Sequence, residues 1–317
     1  MAQKANTFDS YDQSNMIRED LSDIITNIDP ESVPFTTRCR KTTAQNTLVE
    51  WLSETLRSSA DNAHIEGDET TASAKTQAVR LTNRTQILKD ACIVSDTDIG
   101  LNYAGKQRAM AHEVLKMGKE MRLDFERALF LNQAKVAGNA TTARKMAGLG
   151  AWIKTNQANV GSGGAAPTGD GTDTRTDGSA TVFAQADFDS VMQSIWTEGG
   201  EPNTVYLSSF QMNKALGFTG NNNQRANVVA TEERVVNSLS IYLTPWGQVT
   251  FQPSRQNRSR DVYILQDDMF EIAELRPYKN VELAKTGDAE MRQITYEATL
   301  CVKSEKSSGI VADCTTS

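Results

Sequence analysis

The chain has 317 residues, 38% hydrophobic and 23% charged, with a formal net charge of -7. That balance suits an ordered chain of one or two domains. Its acidity excludes a whole-surface grip on nucleic acid, which needs basic side chains to displace counterions from phosphates. No run approaches the roughly 18 apolar residues of a membrane span, and the polar start Met1–Ser14 has no signal core, so no membrane partner and a cytoplasmic site of synthesis and use are expected. Cys39, Cys92, Cys301 and Cys314 lie far apart with no CxxC pair, which predicts free thiols rather than a disulfide framework or zinc site.

Met16–Asn27 reads as a short amphipathic helix, with Ile17, Leu21, Ile24, Ile25 and Ile28 at near-helical spacing, Asn15 as cap and Pro30 after the end. An ordinary surface helix is the plain reading. So little chain precedes it, however, that the stripe is expected to be buried on a neighbour. The basic residues Arg38, Arg40 and Lys41 have no interleaved aromatics, which favours an arm-to-neighbour contact over nucleic-acid reading.

Thr47–Leu56 and Ala78–Val94 read as strands. The second alternates, with Val79, Leu81, Ile87, Ala91 and Ile93 on one face and Arg80, Arg84 and Asp90 on the other. Between them Arg57–Gln77 is small and polar, a length that in a compact domain is expected to be either functional or disordered. Together they predict a projecting hairpin with Glu66 and Asp68 at its tip. Two strands alone are marginal in water, so the hairpin needs a surface to lie on. The expected contacts between subunits are Ile17, Leu21, Ile24, Ile28, Arg38, Arg40, Trp51, Glu66, Asp68, Arg80 and Arg84.

Lys106–Val136 contains no proline and only Gly118 as glycine, and Met110, Val114, Met117, Met121, Phe125, Ala128 and Leu129 keep one helical stripe. Such a helix would run about 45 Å, a spine lying along a sheet, closed by Gly138 and Asn139. Asn159–Ala180 is rich in glycine, threonine and aspartate and reads as a flexible loop. A helix through Phe188, Val191, Met192 and Ile195 follows, then a buried strand at Thr204–Leu207 and a helix from Ser208 to near Gly217. Val262–Leu265 and Phe270–Leu275 read as paired strands around Gln266-Asp267-Asp268. Met291–Lys303 alternates as one strand about 43 Å long, with Ile294, Tyr296, Ala298, Leu300 and Val302 inward.

The search for chemistry returns negatives. His64 and His112 are the only histidines, with no HExxH, and no GxSxG surrounds any serine. Gly100 to Lys106 matches GxxxxGK, but Gln107 replaces the hydroxyl that would hold magnesium. Asp170–Gly178 lacks the aspartate spacing and closing glutamate of a calcium loop. The sequence therefore offers no catalytic residue, no cofactor site and no metal site.

Longer strings carry a resemblance. FDSYDQ, REDLSDIITNIDPESVPFTT (Arg18–Thr37), LVEWLSETL, ADNAHIEGD, GKEMRLDFERALFLNQ (Gly118–Gln133) and GLGAWIKTN (Gly148–Asn156) are similar, in order, to a family of tailed-phage major capsid proteins. The resemblance covers about the first half of the chain. It implies an α+β chain of the Hong Kong 97 capsid fold. The implied parts are an N-terminal arm (1–45), an extended hairpin loop (46–95), a peripheral domain with a spine helix (96–138 and 286–317) and an axial domain (139–285). The arm begins near Met1, so no scaffolding or cleaved segment is expected ahead of it. The implied function is an icosahedral head shell of hexamers and pentamers around double-stranded DNA, held without sequence-specific binding. Portal and scaffolding or cement proteins are the implied partners. Other readings are an encapsulin-like nanocompartment, which shares the fold, an ATP-using enzyme built on Gly100–Lys106, and a tail component.

Overall fold

The computed structural model describes residues 32–57, 59–69, 72, 75–101, 108–218 and 241–316. The predicted helix of Met16–Asn27, with Ile17, Leu21, Ile24 and Ile28, lies outside these residues, as do Lys106 and Gln107.

A short helix, α1 (Pro34–Arg38), leads into strand β1 (Arg40–Thr43). Strands β2 (Leu48–Ser53) and β3 (Val79–Arg84) pair antiparallel as a two-stranded ribbon, with Trp51 opposite Leu81. Strand β4 (Gln86–Ser95) follows, then the one-turn helix α2 (Asp96–Ile99) and the long helix α3 (Ala109–Phe130). After β5 (Gln157–Asn159) come α4 (Gln185–Thr197), β6 (Thr204–Leu207) and α5 (Ser209–Ala215). The chain ends in β7 (Ile241–Thr244), β8 (Gly247–Pro253), β9 (Val262–Leu265), β10 (Phe270–Glu282), β11 (Ala289–Val302) and β12 (Gly309–Ala312).

Among the described residues the strands form the ribbon, a four-stranded sheet ordered β1-β10-β11-β4 and a six-stranded sheet ordered β5-β12-β9-β6-β8-β7. Helix α3 lies on the four-stranded sheet. Its Met117, Met121, Phe125, Ala128 and Leu129 are buried against the inward residues of β11, Ile294, Tyr296, Ala298 and Leu300. The helical stripe and the alternation of the last strand were both legible in sequence. The same core continues under the six-stranded sheet through Tyr206, Tyr263 and Ile310, while Val205, Leu207, Val262 and Ile264 point the other way into a second core under α4. This is why TVYL and VYIL are unbroken apolar runs: both faces of the sheet are covered.

Several expectations change. Helix α3 spans 22 residues, about 33 Å, and stops at Phe130, where Leu131 turns extended. Backbone of residues 146–152 crosses the end of the helix there, so close that a Cβ on Gly148 would meet the Leu131 carbonyl oxygen. The predicted single strand Ala78–Val94 breaks at Thr85, whose N–H bonds to Thr47 O and whose hydroxyl donates to Glu297. The break shifts the inward face, so Leu88, Cys92 and Val94 pack inward and Ile87, Ala91 and Ile93 face solvent. Val262–Leu265 and Phe270–Leu275 do not pair. Buried Asp267 accepts bonds from Thr204 Oγ1 and Tyr206 Oη in the turn between them, and the chain crosses there from one sheet to the other. Residues 86–95 and 270–282 lie in the four-stranded sheet, and residues 309–312 lie in the six-stranded one.

The glycine-rich stretch Asn159–Ala180 is not a free loop. Arg175 is 2% exposed and donates to Asn159 Oδ1 at 2.5 Å. Asp313 Oδ1 accepts from Gly178 N and Arg260, and Arg258 bridges Asp177 and Asp261. A lone arginine among small polar residues gives no periodic signal, which is why composition alone pointed to mobility. The turn at Gly163 stands clear, with a left-handed φ of 85° and open space around the Cβ position. A short tag inserted between Ser162 and Gly163 is expected to permit assembly and to bind antibody on intact particles. Loss of assembly, scored by electron microscopy, would make this turn an interface.

Candidate functional site

The hairpin is anchored by polar atoms that need partners when buried. Trp51 Nε1 donates to Val302 O at 2.8 Å, and its ring lies 5.5 Å from that of Trp152. Asn83, fully buried, donates to Leu300 O at 2.7 Å and accepts from Ala147 N at 2.9 Å. Lys135 Nζ donates to Thr82 O, Thr82 Oγ1 and Asp170 O, and burial pulls its ammonium below the usual lysine range, opposed by Asp170. The ribbon is thus held at its root by the last long strand and two loops. Trp51, expected at a contact between subunits, belongs to that root because its indole N–H and ring are both satisfied inside its own chain.

Beyond Ser53 and Val79 the support ends. Leu52 and Val79 are exposed, Leu56 is 97% exposed and Ile65 83%. Glu66 and Asp68 are exposed at the tip, where Asp68 lies 3.3 Å from His64. Arg80 faces Glu50 across the ribbon at 3.7 Å with both side chains largely in solvent. Arg84 is half-buried.

The arm is rooted as firmly. Val33 offers no side-chain cap and Pro34 has no N–H, so the first free donors of α1 are Phe35 and Thr36. Glu126 of α3 accepts from both, at 2.9 and 2.8 Å, and from the Thr36 hydroxyl. Burial raises the Glu126 carboxyl above the usual range, and these three bonds oppose the rise. Phe35 sits among Phe130, Tyr206 and Phe270 with ring centroids 5.4–5.7 Å away. Arg38 donates to Thr204 Oγ1 at 2.6 Å and lies 3.5 Å from Asp267, so this candidate contact is engaged within its own subunit. Arg40 stays largely exposed, 4.0 Å from Glu271. Neither Glu126 nor Asn83 was singled out from sequence. The available signal was a charge inside the apolar run FERALF and an asparagine facing inward in a strand.

His64 meets Asp68 and Asn62 at the exposed tip, and His112 lies half-buried on α3. Gly100 closes α2 instead of following a strand. Among the described residues no group of three or more His, Cys, Asp or Glu is placed to hold a metal ion. Among the described residues the molecule presents a rigidly rooted ribbon whose tip stands clear of the core, and the firmly packed base of an arm.

The family model described as SU10 major capsid protein matches residues 2–315. The chain belongs to this family. It is 26% identical over 339 aligned positions to the major capsid protein of Escherichia phage Phieco32, covering 96% of each. Among solved structures it resembles the capsid asymmetric unit of cyanophage A-1(L), with a TM-score of 0.66 at 12% identity, covering 98% of this chain and 100% of that one. The capsid of a native GTA particle gives 0.63 at 11%, with the same coverage. The fold is the Hong Kong 97 type, and the chain is a tailed-phage major capsid protein that forms the head shell. Its place is the virion. The rooted arm and ribbon are therefore features of a shell subunit from a structural family, not of an enzyme family.

Proposed function

We propose that this capsid subunit closes into hexamers and pentamers of a single shell around double-stranded DNA, each ribbon lying across a neighbouring subunit. The observation that carries the reading is the ribbon beyond Ser53 and Val79, where apolar side chains stand in water on a rigid root. In this reading the four-stranded sheet with α3 is the peripheral domain, the six-stranded sheet is the axial domain, and residues up to about 45 are the arm. Overlapping segments spread each contact over several subunits, so modest interfaces add up through multivalency. The net charge of -7 fits a container filled by a separate motor, whose lining need not grip DNA. Portal and scaffolding or cement proteins would be further partners, with assembly in the host cytoplasm and no catalytic residue.

The test is electrostatic. Reversing Arg80 and Arg84 to glutamate is expected to raise several-fold the subunit concentration at which shells appear by light scattering, since exposed pairs are worth about 0.2–1 kcal/mol each. An acidic-to-basic change on the facing neighbour should restore it. An unchanged threshold would remove the ribbon charges from the interface. Electron microscopy of purified particles reads closure, and extraction of their contents distinguishes DNA from protein cargo.

A further inference from the structure

The ribbon joins the four-stranded sheet through one residue. Strand β3 ends at Arg84 and β4 begins at Gln86, so the backbone of Thr85 sets the angle between them. Thr85 is fully buried. Its N–H donates to Thr47 O at 2.9 Å, its carbonyl accepts from Arg144 Nε at 2.7 Å, and its hydroxyl donates to Glu297 Oε1 at 2.7 Å. Glu297, on β11, is itself 3% exposed. It also accepts from Arg144 Nη2, and from Arg276 Nε of β10 at 2.7 Å. One buried carboxylate thus stands between two guanidiniums from separate parts of the chain. Among the described residues neither guanidinium pairs with another carboxylate. The next ladder positions on this face of the sheet, Lys89 and Lys279 opposite Thr295, are cations too.

Burial alone would raise the Glu297 carboxyl. The bonds from Thr85 and Arg276 and the charges of Arg144 and Arg276 outweigh it and hold the group below the usual glutamate range. A proton on Glu297 would remove the one negative charge of this group and leave cations facing each other around a buried site. The other anchors of the ribbon do not respond this way: Trp51 and Asn83 are neutral, and Lys135 is a cation that acid leaves charged. We propose that Arg144, Glu297 and Arg276 form a proton-sensitive clasp on Thr85, which fixes the angle of the ribbon while Glu297 is ionised and frees it once Glu297 is protonated. Because the folded carboxyl lies low, the clasp is fully closed above the ordinary glutamate range and opens as pH falls through the lowered value. It acts within one subunit and does not depend on what the ribbon lies on in the shell.

The test uses the full-length unassembled subunit with nitroxide labels at two exposed positions, Leu52→Cys on the ribbon and Ala91→Cys on β4. The background is Cys92→Ser, since the other cysteines are buried. Pulsed electron resonance reads the spread of the distance between the labels. At neutral pH the parent should give one narrow distribution, and Glu297→Gln one about two-fold wider at an unchanged circular dichroism spectrum. Acid should widen the parent toward the Glu297→Gln width, with no further change in the variant. Equal widths at neutral pH, or equal widening of both by acid, would overturn the proposal. Thr85→Val keeps the carboxylate between its two arginines and replaces only the hydroxyl, so it decides the matter if Glu297→Gln does not fold. It too should be wider than the parent, and a width equal to the parent's would rule out the clasp.

Discussion

Deleting Ser58–Ala74 is expected to leave a folded subunit that no longer builds sound shells. The deleted stretch lies beyond the last ladder pair, Ser53 with Val79, and removes Ile65, Glu66 and Asp68 while sparing every bond that roots the ribbon. Little buried apolar area is lost, so the melting temperature of the unassembled subunit should move by no more than about 2 °C. The loss appears at the next level. Each subunit gives up a contact repeated at every position of the particle, so aberrant or fragile heads replace intact ones in micrographs and heat challenge. If the deleted chain instead fails to fold, the tip belongs to a core. If heads form with undiminished heat resistance, the ribbon is no fastening.

Glu126→Ala acts at the other root and on the subunit itself. The N–H groups of Phe35 and Thr36 would lose their acceptor, the first at a buried and the second at a half-buried position, at about 1–3 kcal/mol each. A total loss of about 3–5 kcal/mol is expected in chemical denaturation of the unassembled protein. Glu126→Gln keeps one acceptor oxygen and should lose less. The pH dependence has a definite sign. Because the folded carboxyl titrates above the usual glutamate range, the folded chain holds a proton that the unfolded chain has already released. The contribution of this group is full below the ordinary range and declines as pH rises through the raised folded value. In Glu126→Gln that decline should vanish. A denaturation midpoint that falls with pH equally in both proteins would assign the effect to other groups.

Much of the framework was legible in residues that repeat. The α3 stripe from Met110 to Leu129 and the alternation from Ile294 to Val302 each follow the period of their element, because one face of each is buried. The runs TVYL and VYIL announced a sheet covered on both sides. What escaped depends on partners distant in sequence. Trp51 resembles any exposed strand aromatic until Val302 and Trp152 close on it. Ile87 and Ile93 look inward by alternation, yet a single residue, Thr85, reverses the register. Arg175 gives order to a stretch whose composition suggests none. In the candidate site, the projecting ribbon and its charged tip followed from the polar gap between two strands. The roots are single side chains, Asn83 under the ribbon and Glu126 under the arm, with no pattern around them.

The pairing of β1 with β10 joins Arg40 to Glu271, and the pairing of β5 with β12 joins Gln157 to Ile310. Strand β12 sits between β5 and β9, inside its sheet rather than at an edge. During synthesis, therefore, the six-stranded sheet lacks an interior strand until residue 312 has been made, and the loops closed by these pairings span 231 and 153 residues. Such distant pairings fold slowly, after the entropy of closing the loop has been met. A growing chain cannot present a finished ribbon root early, because Trp51 and Asn83 anchor to carbonyls at 302 and 300. On the proposed reading, the ribbon's competence to lie on a neighbour therefore waits for residues 300–302.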